Sequence, residues 1–79
     1  MKIEVYSKDN CSYCTRAKRL LDRMQLEYEV KQLNIDFTRE QLFELVPTAR
    51  TYPQIFIDGK PIGGYDALTD FVNDNFMNC

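Results

Sequence analysis

The chain opens on an alternating run, Ile3-Glu4-Val5-Tyr6, whose spacing sends every second side chain to one face and predicts a short strand. The run stops at Ser7-Lys8-Asp9-Asn10, a cluster of turn and cap residues. From Ser12 the period changes. Cys14, Ala17, Leu20, Leu21 and Met24 recur every third or fourth position, and Arg16, Lys18, Arg19, Asp22 and Arg23 fill the opposite face, which predicts a helix. Residues 27–33 return to alternation, with Tyr28, Val30 and Leu33 assigned to one half-buried face of a second strand. Thr38 and Gln41 have the spacing of a capping box, and Leu42, Leu45 and Val46 form the stripe of a second helix over Arg39 to Val46, ended by Pro47. Pro53 to Ile57 and Lys60 to Ile62 flank Asp58-Gly59, the strongest short-range hairpin signal in the chain. Asp66 reads as the N-cap of a last helix whose inner face carries Leu68, Phe71, Val72 and Phe76.

The order is βαβαββα. With no repeat, low-complexity stretch or linker, residues 1–79 read as a single α/β domain, a four-stranded mixed sheet flanked by three helices, with its first strand–helix–strand a right-handed crossover. A chain of 79 residues builds one small core, so any chemistry sits with a few residues at its edge.

Charge narrows the function. Ten Lys and Arg against twelve Asp and Glu, net −2, argue against a protein that wraps phosphate backbones. The first 23 residues nevertheless carry six basic and three acidic side chains, so the N-terminal third is locally positive. No histidine is present, which removes the Cys/His pair of cysteine proteases and the ligands of most mixed zinc sites. The charged, alternating start has no apolar signal-like region, and no run approaches the roughly 18 apolar residues of a membrane span, so a cytoplasmic location is expected.

Two of the three cysteines stand together in Cys11-Ser12-Tyr13-Cys14, between a strand and a helix start. Free N–H groups and the helix dipole favour a thiolate there, which makes Cys11 the nucleophile. Cys14, one turn deeper on the apolar side, suits the resolving role. Lys8 is placed to favour that thiolate or to meet an anionic substrate. Half a zinc knuckle is the rival reading, but only distant Cys79 remains as a further ligand. A second rival, two buried core thiols, leaves the polar residues around Cys11 unexplained. Cys79 itself, at the end of an acidic last helix, reads as a free thiol with no catalytic part.

Four segments in order, Cys11 to Lys18, Thr51-Tyr52-Pro53-Gln54-Ile55-Phe56-Ile57-Asp58-Gly59, Ile62-Gly63-Gly64-Tyr65-Asp66 and the closing amphipathic helix, make the chain resemble a dithiol glutaredoxin of the thioredoxin-like fold. The resemblance implies a glutathione-dependent thiol-disulfide oxidoreductase that reduces protein disulfides and glutathione mixed disulfides. Glutathione would be a co-substrate, with no tightly bound cofactor and no metal. It implies that Pro53 is cis and that the Tyr52 backbone pairs with the glutathione backbone. Gly64, Tyr65 and Asp66 would receive one end of glutathione, Tyr13 would pack beside the substrate thiol, and Lys8 and Thr51 would line the groove. Without the resemblance the Gly63 to Asp66 segment is an ordinary turn and N-cap. Arg50 is unassigned, because two placements of the segment before Pro53 differ by one residue.

The chain departs from the family at Ser12, where many members have proline, at Tyr52, where a small β-branched residue is usual, and at Ala67, often a second acidic residue. Some members lacking that proline assemble a glutathione-ligated iron-sulfur dimer, so an iron-sulfur carrier is one alternative. The other is a redoxin of the same fold reduced by thioredoxin reductase and serving ribonucleotide reductase, although the tryptophan segment usual in that group is absent. The expected partners are glutathione and disulfide-containing proteins, ribonucleotide reductase being a family-level example. The expected oligomeric state is a monomer.

Overall fold

The periodic runs fold into the elements their spacing predicts, with shifted ends. A computed structural model describes residues 1–77. In chain order they form β1 (Ile3–Ser7), α1 (Ser12–Arg23), β2 (Glu29–Gln32), α2 (Arg39–Leu45), β3 (Gln54–Ile57), β4 (Lys60–Gly63) and α3 (Tyr65–Val72), after which a π-helical segment runs over Asn73–Met77. The expectation for Cys79 concerns a residue outside those described.

The strands make one sheet ordered β2-β1-β3-β4, with β1 parallel to β2 and the other neighbours antiparallel. This is the four-stranded mixed sheet with three helices that the element order predicts. One core gathers Ile3, Val5 and Ile55 of the sheet with Ala17 and Leu21 of α1 and Leu68 and Val72 of α3, none more than 2% exposed. A second, smaller core on the other side joins Phe56 to Phe37, Ala49 and Leu42 of α2, with Tyr6 and Tyr52 against it. Alternation along β1 and β3 feeds both layers, because successive strand side chains point to opposite faces. Asp58 (φ 51) and Gly59 (φ 83) are both left-handed, the geometry that an Asp-Gly hairpin turn needs. The Thr38/Gln41 capping box forms in full: Thr38 Oγ1 accepts from the Gln41 N–H at 3.2 Å, and Gln41 Oε1 accepts from the Thr38 N–H at 2.8 Å.

Tertiary contacts correct four expectations. The second strand is shorter than residues 27–33, because Tyr28 turns back to donate its hydroxyl to Asp22 at 2.9 Å and the Asn34 N–H turns to the Phe37 carbonyl at 2.7 Å. Val30, assigned to a half-buried face, is 39% exposed, since β2 is an edge strand and Val30 joins neither core. On α2 only Leu42 is buried; a seven-residue helix offers little more than one contact row, and Leu45 faces solvent. Phe76, assigned to the inner face of the last helix, is exposed and meets Phe71 edge-on, because the wider π-helical turn alters the angular step after Val72. No helix among the described residues is long and apolar enough to cross a membrane.

Candidate active site

The loop from β1 delivers Cys11 to the N-cap of α1 in extended conformation (φ −120, ψ 104). Its sulfur accepts a hydrogen bond from the Cys14 N–H at 3.2 Å, using a donor that has no partner inside the helix. The first turn of α1 carries no acidic residue, so nothing there opposes negative charge on that sulfur. The Cys11 and Cys14 sulfurs lie at bonding distance, with Cα atoms 5.3 Å apart. Their environments differ sharply. Cys14 is 1% exposed under α1, whereas Cys11 is half-buried and open to approach. An incoming sulfur reaches Cys11 first.

Across from α1, the chain entering β3 supplies the opposite wall. The Tyr52–Pro53 peptide is cis, as the resemblance implies. The Tyr52 carbonyl oxygen lies 3.6 Å from the Cys11 sulfur, where a reduced Cys11 S–H can donate to it. Gln54, buried at the start of β3, donates its side-chain Nε2 to the Thr51 carbonyl at 2.7 Å and so braces this segment. Tyr13, Thr51, Tyr52, Gly64, Tyr65 and Asp66 together line a cleft of about 290 Å³ beside the cysteines. Tyr13 is half exposed, with its ring 5.7 Å from that of Tyr65 and the Arg16 guanidinium 5.1 Å over it. Six of the eight positions assigned to ligand contact thus share one cleft. Pro53 is different: it is buried, and its carbonyl forms the floor beneath Gly64.

Lys8, the eighth, borders a neighbouring cleft of about 260 Å³ with Arg39, Arg50, Thr51 and Tyr52, and its ammonium sits 5.5 Å from the Tyr52 ring centroid. Lys8 also borders the opposite side of the cysteine pair. The three cations make this wall strongly positive. Among the described residues the ion pair is Lys31 with Glu29 at 3.5 Å, so Lys8, Arg39 and Arg50 have no carboxylate partner within 4.0 Å. Sequence reading missed Arg39 and left Arg50 unassigned. Arg39 reads only as the first residue of a helix, while Arg50 had the signal of adjacency to Thr51.

Asp66 is not the N-cap. Gly64 takes that position without a side-chain hydrogen bond, and Asp66 sits exposed in the first turn of α3. A glycine cap leaves the first-turn N–H groups of α3 without a side-chain acceptor, and the Asp66 carboxylate stands free beside them. Among the described residues, no group of three or more His, Cys, Asp or Glu gathers where it could hold a metal ion.

A solvent-facing half-cystine on a helix N-terminus, a buried partner one turn on, and a backbone carbonyl against the first define a dithiol oxidoreductase of the thioredoxin-like fold. The comparisons give its family. The glutaredoxin family model matches residues 3–62. Glutaredoxin 1 of Rickettsia conorii is 41% identical over 79 residues, covering 96% of this chain and 76% of that protein. The reduced Escherichia coli glutaredoxin superposes with a TM-score of 0.82 at 28% identity, covering 98% of this chain and 99% of that one. The buckwheat glutaredoxin–glutathione complex superposes with a TM-score of 0.78 at 33% identity, covering 91% of this chain and 68% of that one. The chain belongs to the glutaredoxin family and is a thiol-disulfide oxidoreductase of the glutaredoxin type.

Proposed function

We propose that this protein, a single domain acting as a monomer in the cytoplasm, reduces protein disulfides and glutathione mixed disulfides with glutathione as its electron donor. The observation that carries the reading is the cleft that Tyr13, Thr51, Tyr52, Gly64, Tyr65 and Asp66 form directly beside the open cysteine. A buckwheat relative is described in complex with glutathione, which supports the same ligand class here.

Cys11 is the nucleophile. Its thiolate attacks one sulfur of a substrate disulfide; a Cys11–substrate disulfide forms, and the other substrate sulfur leaves with the electron pair and takes up a proton. The Cys14 N–H and the α1 dipole stabilise the thiolate before attack. For a protein disulfide, Cys14 then attacks Cys11, the Cys11–Cys14 bond forms and the substrate leaves fully reduced. Glutathione returns the pair to the dithiol, passing through a glutathione disulfide on Cys11. That moiety lies in the cleft, its backbone pairing with Tyr52 beside Pro53 and its α-amino and α-carboxyl end at Gly64, Tyr65 and Asp66. The aromatic faces of Tyr13 and Tyr65 cover it. Its other carboxylate turns to Lys8 and Thr51, where Arg39 and Arg50 add positive charge. Disulfide-containing proteins are the wider substrate class, with ribonucleotide reductase an example to test.

Turnover of a small glutathione mixed disulfide, driven by glutathione plus glutathione reductase or by thioredoxin reductase, tests the reading. Glutathione-driven turnover should be lost in Cys11→Ser and survive in Cys14→Ser, because free glutathione can itself resolve the mixed disulfide at Cys11. Turnover with thioredoxin reductase alone, or with neither donor, would overturn it.

A further inference from the structure

Ser7 holds a buried side-chain polar atom that the dithiol chemistry described above does not use. The residue is fully buried, yet its hydroxyl has no hydrogen-bond partner, unlike other buried side-chain N and O atoms among the described residues. Burying a hydroxyl without a partner is costly, and such groups in native structures call for a reason, a redox or catalytic role among them.

Its position supplies one. Ser7 ends β1 and points to the same face as Ile3 and Val5, the face that packs against Ala17 and Leu21 of α1. The turn of residues 8–11 reverses the chain, so the first turn of α1 lies over the last residues of β1, and the buried row Leu21, Ala17, Cys14 runs toward Ser7. Two sheet neighbours agree. One step beyond the Tyr6–Gln54 pair, Ser7 stands opposite Pro53, whose neighbour Tyr52 touches Cys11. On its other side Ser7 pairs with Gln32, which borders the same cavity as Cys11 and Cys14. With Cys14 bonded to Cys11, the Ser7 hydroxyl makes no hydrogen bond to the Cys14 sulfur and is left over. When the pair is reduced, Cys14 carries a free thiol or thiolate that is almost wholly buried and meets solvent only along the cavity it shares with Cys11.

We infer that Ser7 is a positioning residue for Cys14: its hydroxyl donates a hydrogen bond to the Cys14 sulfur in the reduced protein and in the mixed disulfide, and loses it when the intramolecular disulfide closes. The inference rests on Cys14 as the resolving thiol. In that step Cys14 gives its proton to solvent, its sulfur attacks the Cys11 sulfur, the Cys11–substrate bond breaks, and the departing substrate sulfur keeps the electron pair and takes up a proton. Ser7 changes no bond; it stabilises the negative sulfur and aims it at Cys11. The hydroxyl therefore favours the dithiol over the disulfide and makes the protein a weaker reductant than it would be without Ser7.

Ser7→Ala and Ser7→Thr test this. Removing the hydroxyl should shift the dithiol–disulfide equilibrium about tenfold toward the disulfide, a potential about 30 mV more negative, and Thr should restore it. Thermal melts should change with opposite sign in the two states: Ser7→Ala leaves the oxidised protein as stable or more stable and lowers the Tm of the reduced one. Reduction of a protein disulfide should slow about tenfold in Ser7→Ala, while Ser7→Ala added to Cys14→Ser leaves glutathione mixed-disulfide turnover unchanged. An unchanged potential, or equal destabilisation in both redox states, would overturn the role of Ser7. The potential and the melts are read without glutathione, so failure of the glutathione reading leaves this test intact.

Discussion

Adding one methyl group at Gly63 or at Gly64 separates what holds the site together from what leaves it open. Gly63 has φ +125, a conformation costing an L-residue about 1–3 kcal/mol, and a Cβ there would stand 3.0 Å from the Ala67 Cβ on α3. Neither a helix backbone nor a methyl group swings aside easily, so overpacking adds about 1–3 kcal/mol. Gly63→Ala should lose roughly 2–6 kcal/mol, a fall in Tm of about 10 °C or more for a domain of this size. Gly64, at φ −96, has an unrestricted backbone; its Cβ would lie 3.4 Å from the Pro53 carbonyl and 3.9 Å from Thr51 Oγ1, ordinary contact. Gly64→Ala should change stability by no more than about 1 kcal/mol, mostly through its N-cap position. Its methyl, however, points toward the Thr51–Pro53 wall of the cleft proposed for glutathione. KM for a glutathione mixed disulfide should rise about tenfold, equivalent to about 1.4 kcal/mol. Urea unfolding and steady-state turnover measure both, and Ala67→Gly in the Gly63→Ala background should recover the steric part alone. A Gly63→Ala loss below about 0.5 kcal/mol, or a Gly64→Ala protein with unchanged KM, would refute the reasoning.

Lys8→Ala and Arg50→Ala should each raise KM for glutathione substrates by roughly threefold at low salt and by less at high salt, because these exposed charges are screened; salt-independent losses would point to packing instead. Burial, and then the hydrogen bond to Asp22, raise the Tyr28 phenol above its ordinary value of 10.0. The folded state therefore holds this proton where the unfolded chain has lost it, and stability should fall as pH climbs from 10 through the folded value; Tyr28→Phe should flatten that fall in alkaline urea titrations. Thr38→Ala should cost about 1 kcal/mol by removing half of the capping box, and an equal loss in Gln41→Ala, with a smaller added loss in the double variant, would show the two bonds acting together.

What could be read from the chain was what neighbouring residues decide among themselves. The α1 period, the Asp58-Gly59 turn and the Thr38/Gln41 box involve atoms within a few positions of each other, so local sterics and hydrogen bonding determine them. The Cys11–Cys14 pair was legible for the same reason, since a helix start and a spacing of one turn set its chemistry. The resemblance, not local physics, supplied the cis Tyr52–Pro53 bond and the grouping of Tyr13, Thr51 and Tyr52 with Gly64, Tyr65 and Asp66, which come from three separate segments.

Tertiary structure decided the rest. Val30 and Leu45 carry apolar side chains at correct periods yet face solvent, because periodicity marks a face and only packing says whether anything covers it. Gly64 displaced Asp66 as N-cap because the helix begins where the chain leaves β4. Arg39 and Arg50, eleven positions apart, join Lys8 only once α2 lies across the sheet. Ser7 looked like the first residue of a turn; one more rung of sheet, set by its pairing with Gln32, buried its hydroxyl without a partner. Each of these depends on contacts between residues far apart in the chain, which no periodicity encodes.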